Sequence, residues 1–196
     1  MIYEFLRHLI VPPALRKIRR IQGLENIPPQ GGFLVTANHV SWLDPVYVTA
    51  AISQRFRGRL LFVSATAKHR WMQAVIPIEK NNRARCLTIA RDKLKNGCAI
   101  GIFPHGDQRG SSEPPMTGAA RLAHWTGAPL LPVAIRNCIP HHTWGSLLAF
   151  FFRGSRLEIA IGKPIFFLQT DNFSRDMLHA DMSHIESAIQ KLLADQ

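Results

Sequence analysis

The amino-acid sequence predicts an α/β fold with a central sheet. Short apolar segments typical of buried strands alternate along the chain with longer segments of helical spacing, and this alternation is typical of a sheet covered by helices. The chain has 196 residues, of which 46% are hydrophobic and 19% are charged. This composition excludes a disordered chain, and the length suits one domain with a sizeable core.

The predicted elements follow one another without an internal repeat. We predict strands at residues 33–37, 60–64, 99–103, 130–136 and 157–161, and helices at residues 42–52, 83–95, 117–125 and 173–193. Asn96-Gly97 and Gly127 are usual stops for the second and third of these helices. Residues 23–32 contain two adjacent prolines and two adjacent glycines, which predict a turn and a loop.

The N-terminal segment predicts an amphipathic helix followed by a basic cluster. One helix face carries five apolar side chains, namely Ile2, Phe5, Leu6, Leu9 and Ile10. Pro12 and Pro13 are predicted to end the helix, and four cations follow: Arg16, Lys17, Arg19 and Arg20. Two interpretations are open, since such a segment either lies on an anionic membrane surface or packs on its own core. No apolar run reaches the roughly 18 residues that a membrane span needs.

The charge balance indicates a polyanionic partner. With 24 Lys and Arg against 13 Asp and Glu, the net charge is +11. Nucleic acid, an anionic membrane or a phosphorylated ligand would suit such a chain. No RNA-recognition pattern is present, so nucleic acid is not expected. The three cysteines have no C-x-x-C spacing, which excludes a disulfide framework and a zinc ribbon and indicates thiols in a reducing compartment.

The first candidate site directly follows the strand at residues 33–37. On one regular helix, His39 and Asp44 would point about 140° apart. They can therefore meet only if His39 lies in a loop and Asp44 lies in the first helical turn. Ser41-x-x-Asp44 fits a capping box, so Asp44 either only caps the helix or also orients His39 as a general base.

The second candidate site, residues 103–110, is polar and glycine-rich and also follows a strand. His105 and Asp107 could ligate a metal, but the chain has no H-E-x-x-H spacing, so no metal is expected; an ordinary polar turn is the alternative. A basic stretch that includes Lys68, Lys80 and Arg83 suits phosphate groups. Residues 144–152 are the most apolar stretch, which predicts either a buried core segment or the border of an acyl-chain groove.

The motifs resemble those of the glycerolipid acyltransferase family. Asn38, His39 and Asp44 fit the family's N-H-x-x-x-x-D motif. Three further motifs resemble residues 74–80 (A-V-I-P-I-E-K), 103–106 (F-P-H-G) and 131–135 (L-P-V-A-I), so the likeness extends in order over residues 22–165. The resemblance implies a glycerol-phosphate acyltransferase-like fold, with a mostly parallel sheet flanked by helices. It places the acyltransferase domain at residues 22–196, after an N-terminal membrane-associating helix and basic segment at residues 1–21.

The resemblance also implies a reaction and a set of site residues. A fatty acyl group would move from acyl-CoA or acyl-carrier protein to a hydroxyl of a lysolipid, 1-acylglycerol-3-phosphate first of all, in phospholipid biosynthesis. No cofactor is implied, and the enzyme would lie peripherally on the cytoplasmic side of an anionic cell membrane. His39 and Asp44 would be catalytic, and backbone N–H groups after His39 would stabilise the oxyanion. The implied substrate-binding residues are Lys68, Lys80, Arg83, His105, Gly106 and Arg109.

Two departures from the family pattern concern the acceptor. The third motif has His105 and Gln108 where the family has Glu and Arg, with Arg109 one place later, and the second motif has Glu79-Lys80 where the family has Asp-Arg. These changes keep a lyso-ornithine lipid, a glycolipid or another lysophospholipid open as the acceptor. Outside enzymes, the alternative is a basic membrane- or nucleic-acid-binding protein without catalysis. The intact His39 and Asp44 argue against it.

Overall fold

The computed structural model describes residues 2–64, 74–78, 82–105, 115–137 and 157–195, with side chains from His8 onward except that of Arg83. Within these residues the centre of the molecule is a seven-stranded sheet in the order β1-β7-β6-β2-β5-β3-β4. The strands are β1 (Ile18–Gln22), β2 (Leu34–Ala37), β3 (Leu60–Ser64), β4 (Val75–Pro77), β5 (Ala99–Ile102), β6 (Leu130–Arg136) and β7 (Leu157–Ile161). Neighbouring strands are parallel except for β6 and β7, so the predicted mostly parallel sheet is confirmed.

Helices cover both faces of this sheet. They are α1 (Ile2–Leu15), α2 (Asp44–Ile52), α3 (Arg83–Lys95), α4 (Gly118–Thr126) and α5 (Arg175–Ala194). Because successive side chains of a strand point to opposite faces, Val35 packs into the core beneath α1 and α2, while Leu34 packs into the core beneath α3, α4 and α5. The central strands β2 and β5 are buried along their whole length.

Two strands of the sheet were not predicted from the sequence. β1 is an edge strand on which Arg19 and Arg20 are exposed. Its sequence therefore resembles an exposed basic segment and not an apolar strand. β4, at the other edge, has only three residues and ends in Pro77. Since β1 begins at Ile18, the boundary predicted between residues 21 and 22 falls inside a strand of the sheet.

The prediction that Pro12 and Pro13 end the first helix is wrong. Each proline removes a helical N–H donor, at a cost of about 3 kcal/mol in a helix interior, yet α1 continues to Leu15. The carbonyl of Pro12 still accepts a hydrogen bond from the N–H of Arg16 at 3.2 Å. Ala14 is fully buried and Val11 packs on the core, so tertiary packing offsets the lost bonds.

The second half of α1 therefore packs on the molecule's own core, as one of the two interpretations predicted. Leu9, by contrast, is 62% exposed. No helix in the described ranges has the length and apolar character required to cross a membrane.

Candidate active site

The site lies at the carboxyl ends of two neighbouring central strands. β2 and β5 are parallel and in contact, with Thr36 of β2 opposite Ile102 of β5. The residues that follow each strand therefore emerge side by side, at the edge where open α/β sheets usually bind their ligands. In this way the fold brings the loop that carries His39 next to Phe103.

His39 and Asp44 are in direct contact. The Nδ1 atom of His39 lies 2.8 Å from Oδ2 of Asp44. His39 is in the loop after β2, whereas Asp44 is the first residue of α2. This is the one arrangement in which residues at this spacing were expected to meet. The Asp44 side chain is fully buried, and that of His39 is 10% exposed.

The buried carboxylate of Asp44 also organises the backbone of the loop. Its Oδ2 atom accepts hydrogen bonds from the N–H groups of Val40 at 2.6 Å and Ser41 at 2.7 Å. The same oxygen thus accepts from two backbone N–H groups and contacts the imidazole. One atom therefore both caps the helix and orients His39.

The predicted capping box forms only in part. The acidic half is present, since Ser41 N–H donates to Asp44. The hydroxyl half is not, because Ser41 Oγ accepts from the N–H of Leu43 at 3.3 Å, whereas the N–H of Asp44 donates to the backbone carbonyl of Ser41. The reason is that α2 begins at Asp44, with Leu43 as its N-cap residue, instead of at Ser41.

Asn38 fixes the loop to the adjacent strand β6. Its side-chain NH₂ donates to the carbonyl of Ile135 at 2.9 Å, and its side-chain oxygen accepts from the N–H of Ile135 at 2.7 Å. This paired contact continues the β2–β6 ladder by one side chain beyond the end of β2. The residue directly before His39 therefore has a fixed position.

Comparison with known proteins identifies the family of the chain. The Acyltransferase family model matches residues 18–136, which is more than half of the chain. The chain belongs to the acyltransferase family. It is 24% identical over 171 residues to the 1-acyl-sn-glycerol-3-phosphate acyltransferase of Bacillus subtilis (strain 168). The aligned region covers 83% of this chain and 82% of that relative.

The fold is also similar to a solved structure. The crystal structure of the 1-acyl-sn-glycerophosphate (LPA) acyltransferase PlsC from Thermotoga maritima matches with a TM-score of 0.67 and 20% sequence identity, over 96% of this chain and 78% of that chain. This match confirms the predicted fold, while the family model confirms the predicted family and acyltransferase activity.

Among the other predicted site residues of the acyltransferase, His105 is placed at the carboxyl end of β5. Its Nε2 atom lies 2.5 Å from Oε1 of Glu186 on α5, with 43% and 28% of the two side chains exposed. α5 is itself fixed on α4, because the buried His124 contacts Asp181 at 2.8 Å. A carboxylate is thus present at the third motif, but α5 supplies it.

The remaining predicted binding residues are only partly placed. Arg83 begins α3, the helix that follows β4, and its side chain is not described. Lys68, Lys80, Gly106 and Arg109 lie outside the described residues, as do Asp107 and residues 144–152. In the described ranges, no three metal-ligating side chains come together.

Sequence reasoning missed two contacts of this candidate site. Phe103 stacks on the imidazole of His39, and Glu186 contacts His105. One available signal was Gly101, because a glycine inside a strand often marks a close approach of another group. Nothing in the local pattern of α5 distinguishes Glu186 from any other polar helix residue.

Proposed function

We propose that this acyltransferase moves a fatty acyl group from acyl-CoA or acyl-carrier protein to a hydroxyl of a lysolipid, with 1-acylglycerol-3-phosphate as the preferred acceptor, in phospholipid biosynthesis. The observation that carries the proposal is the contact of His39 with the buried Asp44 at the carboxyl end of the sheet. The name of the Bacillus subtilis relative supports the choice of acceptor.

The contact gives His39 the geometry of a general base. An ionised carboxylate only accepts hydrogen bonds, so Nδ1 carries the proton that faces Asp44, and Nε2 is the basic nitrogen of the neutral ring. Nε2 takes the proton of the acceptor hydroxyl as the oxygen attacks the thioester carbonyl. The resulting tetrahedral oxyanion collapses and breaks the C–S bond, and the thiolate leaves with the proton that His39 had taken. Asp44 stabilises the intermediate imidazolium.

This reaction needs no acyl-enzyme intermediate. Neither Cys86 nor Cys98 forms a disulfide in the described part of the chain. Cys86 packs in the core beneath α3, and burial raises the pKa of its thiol, which keeps it neutral and a poor nucleophile. Direct transfer from the thioester to the acceptor fits these properties.

Four of the backbone N–H groups after His39, which the sequence predicted as oxyanion donors, already have acceptors in the turn. The N–H groups at the start of α2 already donate within the turn, to Asp44 Oδ2 or to atoms of Ser41; they belong to Val40, Ser41, Leu43 and Asp44. Two of these four groups hold the Asp44 carboxylate, and we assign none of the four to the developing negative charge. The basic residues are the better candidates for charged parts of the substrates, with Lys68, Lys80, Arg83 and Arg109 toward phosphate and His105 and Gly106 toward the acceptor.

An acceptor screen tests the proposed reaction. Purified protein would be given one acyl-CoA and, in turn, 1-acylglycerol-3-phosphate, a zwitterionic lysophospholipid, a lyso-ornithine lipid and a glycolipid, and the released thiol would be measured. We expect the highest kcat/KM with 1-acylglycerol-3-phosphate. A higher value with another acceptor would mean that the enzyme acylates that lipid by the same reaction. The contact of His105 with Glu186 is the feature that favours this second candidate. Salt-sensitive nucleic-acid binding without thiol release would contradict the enzyme.

We also propose that the protein lies peripherally on the cytoplasmic side of an anionic membrane, through α1 and the adjacent basic cluster. Arg16, Arg19 and Arg20 are exposed, and Leu9 on α1 is an exposed apolar side chain. Such cations near an anionic surface each contribute about 1 kcal/mol to binding.

Vesicle co-sedimentation tests this attachment. Substituting Arg16, Arg19 and Arg20 by glutamine leaves strand β1 in place, which a deletion of residues 1–20 would not. We expect binding to vesicles with anionic lipid to fall about tenfold or more. The matched control replaces three exposed lysines elsewhere, Lys93, Lys95 and Lys191, by glutamine. An equal loss of binding in both variants would contradict a specific role of the segment.

A further inference from the structure

Three aromatic rings form a continuous stack that ends on His39. The imidazole of His39 lies over the ring of Phe103, with centroids 4.3 Å apart and planes inclined by 20°. The ring of Phe103 in turn stacks on that of Phe62, with centroids 5.6 Å apart and an angle of 8°. Phe103 follows β5 and Phe62 belongs to β3, and both rings are buried. The stack therefore connects His39 with two strands of the sheet.

The stack needs a glycine at position 101. Phe62 is the register partner of Gly101, and its ring lies against that backbone. A Cβ atom on residue 101 would lie 2.3 Å and 2.4 Å from two carbons of the Phe62 ring, closer than non-bonded atoms approach. Gly101 and Phe103 are two residues apart and so share one face of the sheet. The missing side chain at position 101 leaves the space that the Phe62 ring occupies behind Phe103.

Two contacts thus act on different parts of the imidazole. Asp44 Oδ2 holds the Nδ1 edge at 2.8 Å, and the ring of Phe103 covers one face. The edge contact alone would allow the ring plane to rotate about the hydrogen bond, and the face contact prevents this rotation. Phe103 also presents the negative face of its π-system, which attracts a cation, to a ring that becomes positively charged when it takes the proton.

The geometry points to Phe103 as a positioning residue for His39, with Phe62 as its support and Gly101 as the position that admits the stack. This inference rests on the proposed role of His39 as general base. Phe103 orients Nε2 toward the acceptor hydroxyl and stabilises the imidazolium, so its loss should reduce turnover more than substrate binding. A displacement of about 1 Å in a catalytic group can cost roughly 10²-fold in rate.

The test compares Phe103→Leu with Phe103→Tyr and with a matched control, Phe56→Leu. Phe56 is a buried ring in the same core that packs edge-on against Phe33, beyond the end of α2, whereas His39 precedes its start. We expect Phe103→Leu to lower kcat about ten- to a hundredfold, with KM for acyl-CoA within about twofold. Phe103→Tyr keeps the ring and should restore most of the turnover. Phe56→Leu should lower thermal stability without lowering kcat.

Proton NMR gives a readout that a merely structural role would not change. The ring current of a stacked phenyl group shifts the imidazole C–H resonances of His39 upfield, and a His39→Gln variant assigns them by their disappearance. The upfield shift should be lost in Phe103→Leu and kept in Phe103→Tyr and Phe56→Leu. Gly101→Ala should also reduce it by displacing Phe62, and adding Phe62→Leu should recover part of the lost kcat.

The outcomes separate this inference from the proposed function. If Phe103→Leu keeps the kcat of Phe56→Leu while His39→Ala is inactive, the positioning role is overturned and the general base stands. Unchanged His39 resonances in Phe103→Leu would also overturn it. If His39→Ala retains full activity, the proposed role of His39 as general base fails, whatever Phe103→Leu does.

Discussion

Replacing His39 by alanine is expected to abolish acyl transfer while the fold remains intact. The imidazole is the proposed base for the acceptor hydroxyl, and proton transfer by a positioned side chain typically contributes about 10²–10⁴-fold to the rate. Alanine offers no group that can take the proton. Thiol release from acyl-CoA in the presence of a lysolipid acceptor measures the loss.

The fold should survive this change because the loop is held by other groups. Asn38 remains bound to Ile135, and Asp44 keeps the N–H donors of Val40 and Ser41. We expect a loss of about 1 kcal/mol in the free energy of unfolding, as is common for single substitutions. His184→Ala, at an exposed position of α5, is the matched control and should leave both activity and stability unchanged. Full activity in His39→Ala would remove His39 from the mechanism.

The central part of the fold could be predicted from the sequence because burial on both faces produces an unambiguous pattern. β2 and β5 are buried along their whole length, and such strands read as short continuous apolar runs between turns. The edges of the sheet gave no such pattern. β1 has partners on one side only and exposes two arginines, and β4 is three residues long.

The first helix shows where local rules fail. Two adjacent prolines are a strong local signal for a helix end, but the buried Ala14 and the packing of Val11 depend on α2, which is distant in sequence. Tertiary packing therefore determines that the helix continues past the prolines, and no local sequence pattern indicates this.

The same distinction applies to the site. His39 and Asp44 are close in sequence, so helical geometry alone left one arrangement in which their side chains can meet. The structure has that contact. Phe103 reaches His39 because β5 lies beside β2, and Glu186 reaches His105 because α5 packs on the opposite face from α2. Neither strand order nor the docking of a terminal helix follows from residue spacing. Contacts that depend on them were therefore missed, although His39 and His105 at the strand ends were among the predicted site residues.

Asp44→Asn is expected to lose most of the activity, about 10²-fold or more, and little of the stability. The contacts of the carboxylate with His39, Val40 N–H and Ser41 N–H are made by Oδ2. An amide oxygen in that place can still accept from the two N–H groups. What asparagine lacks is the negative charge that stabilises the imidazolium and holds the proton on Nδ1. Hydrogen bonds to a charged acceptor are stronger than hydrogen bonds to a neutral one. We therefore expect Asp44→Asn to lower the free energy of unfolding by about 1 kcal/mol.

Asp44→Ala is the comparison that separates charge from capping. Alanine leaves the part-buried N–H of Val40 and the buried N–H of Ser41 without their acceptor. A buried N–H without an acceptor costs about 1–3 kcal/mol, so this variant should be clearly less stable than Asp44→Asn. Both variants should have similarly low kcat, since both lack the charge. Thermal unfolding and thiol release, measured on the same preparations, give the two quantities. If Asp44→Asn instead keeps the wild-type kcat and only Asp44→Ala is impaired, in proportion to its lost stability, then Asp44 acts as a helix cap and His39 works without it.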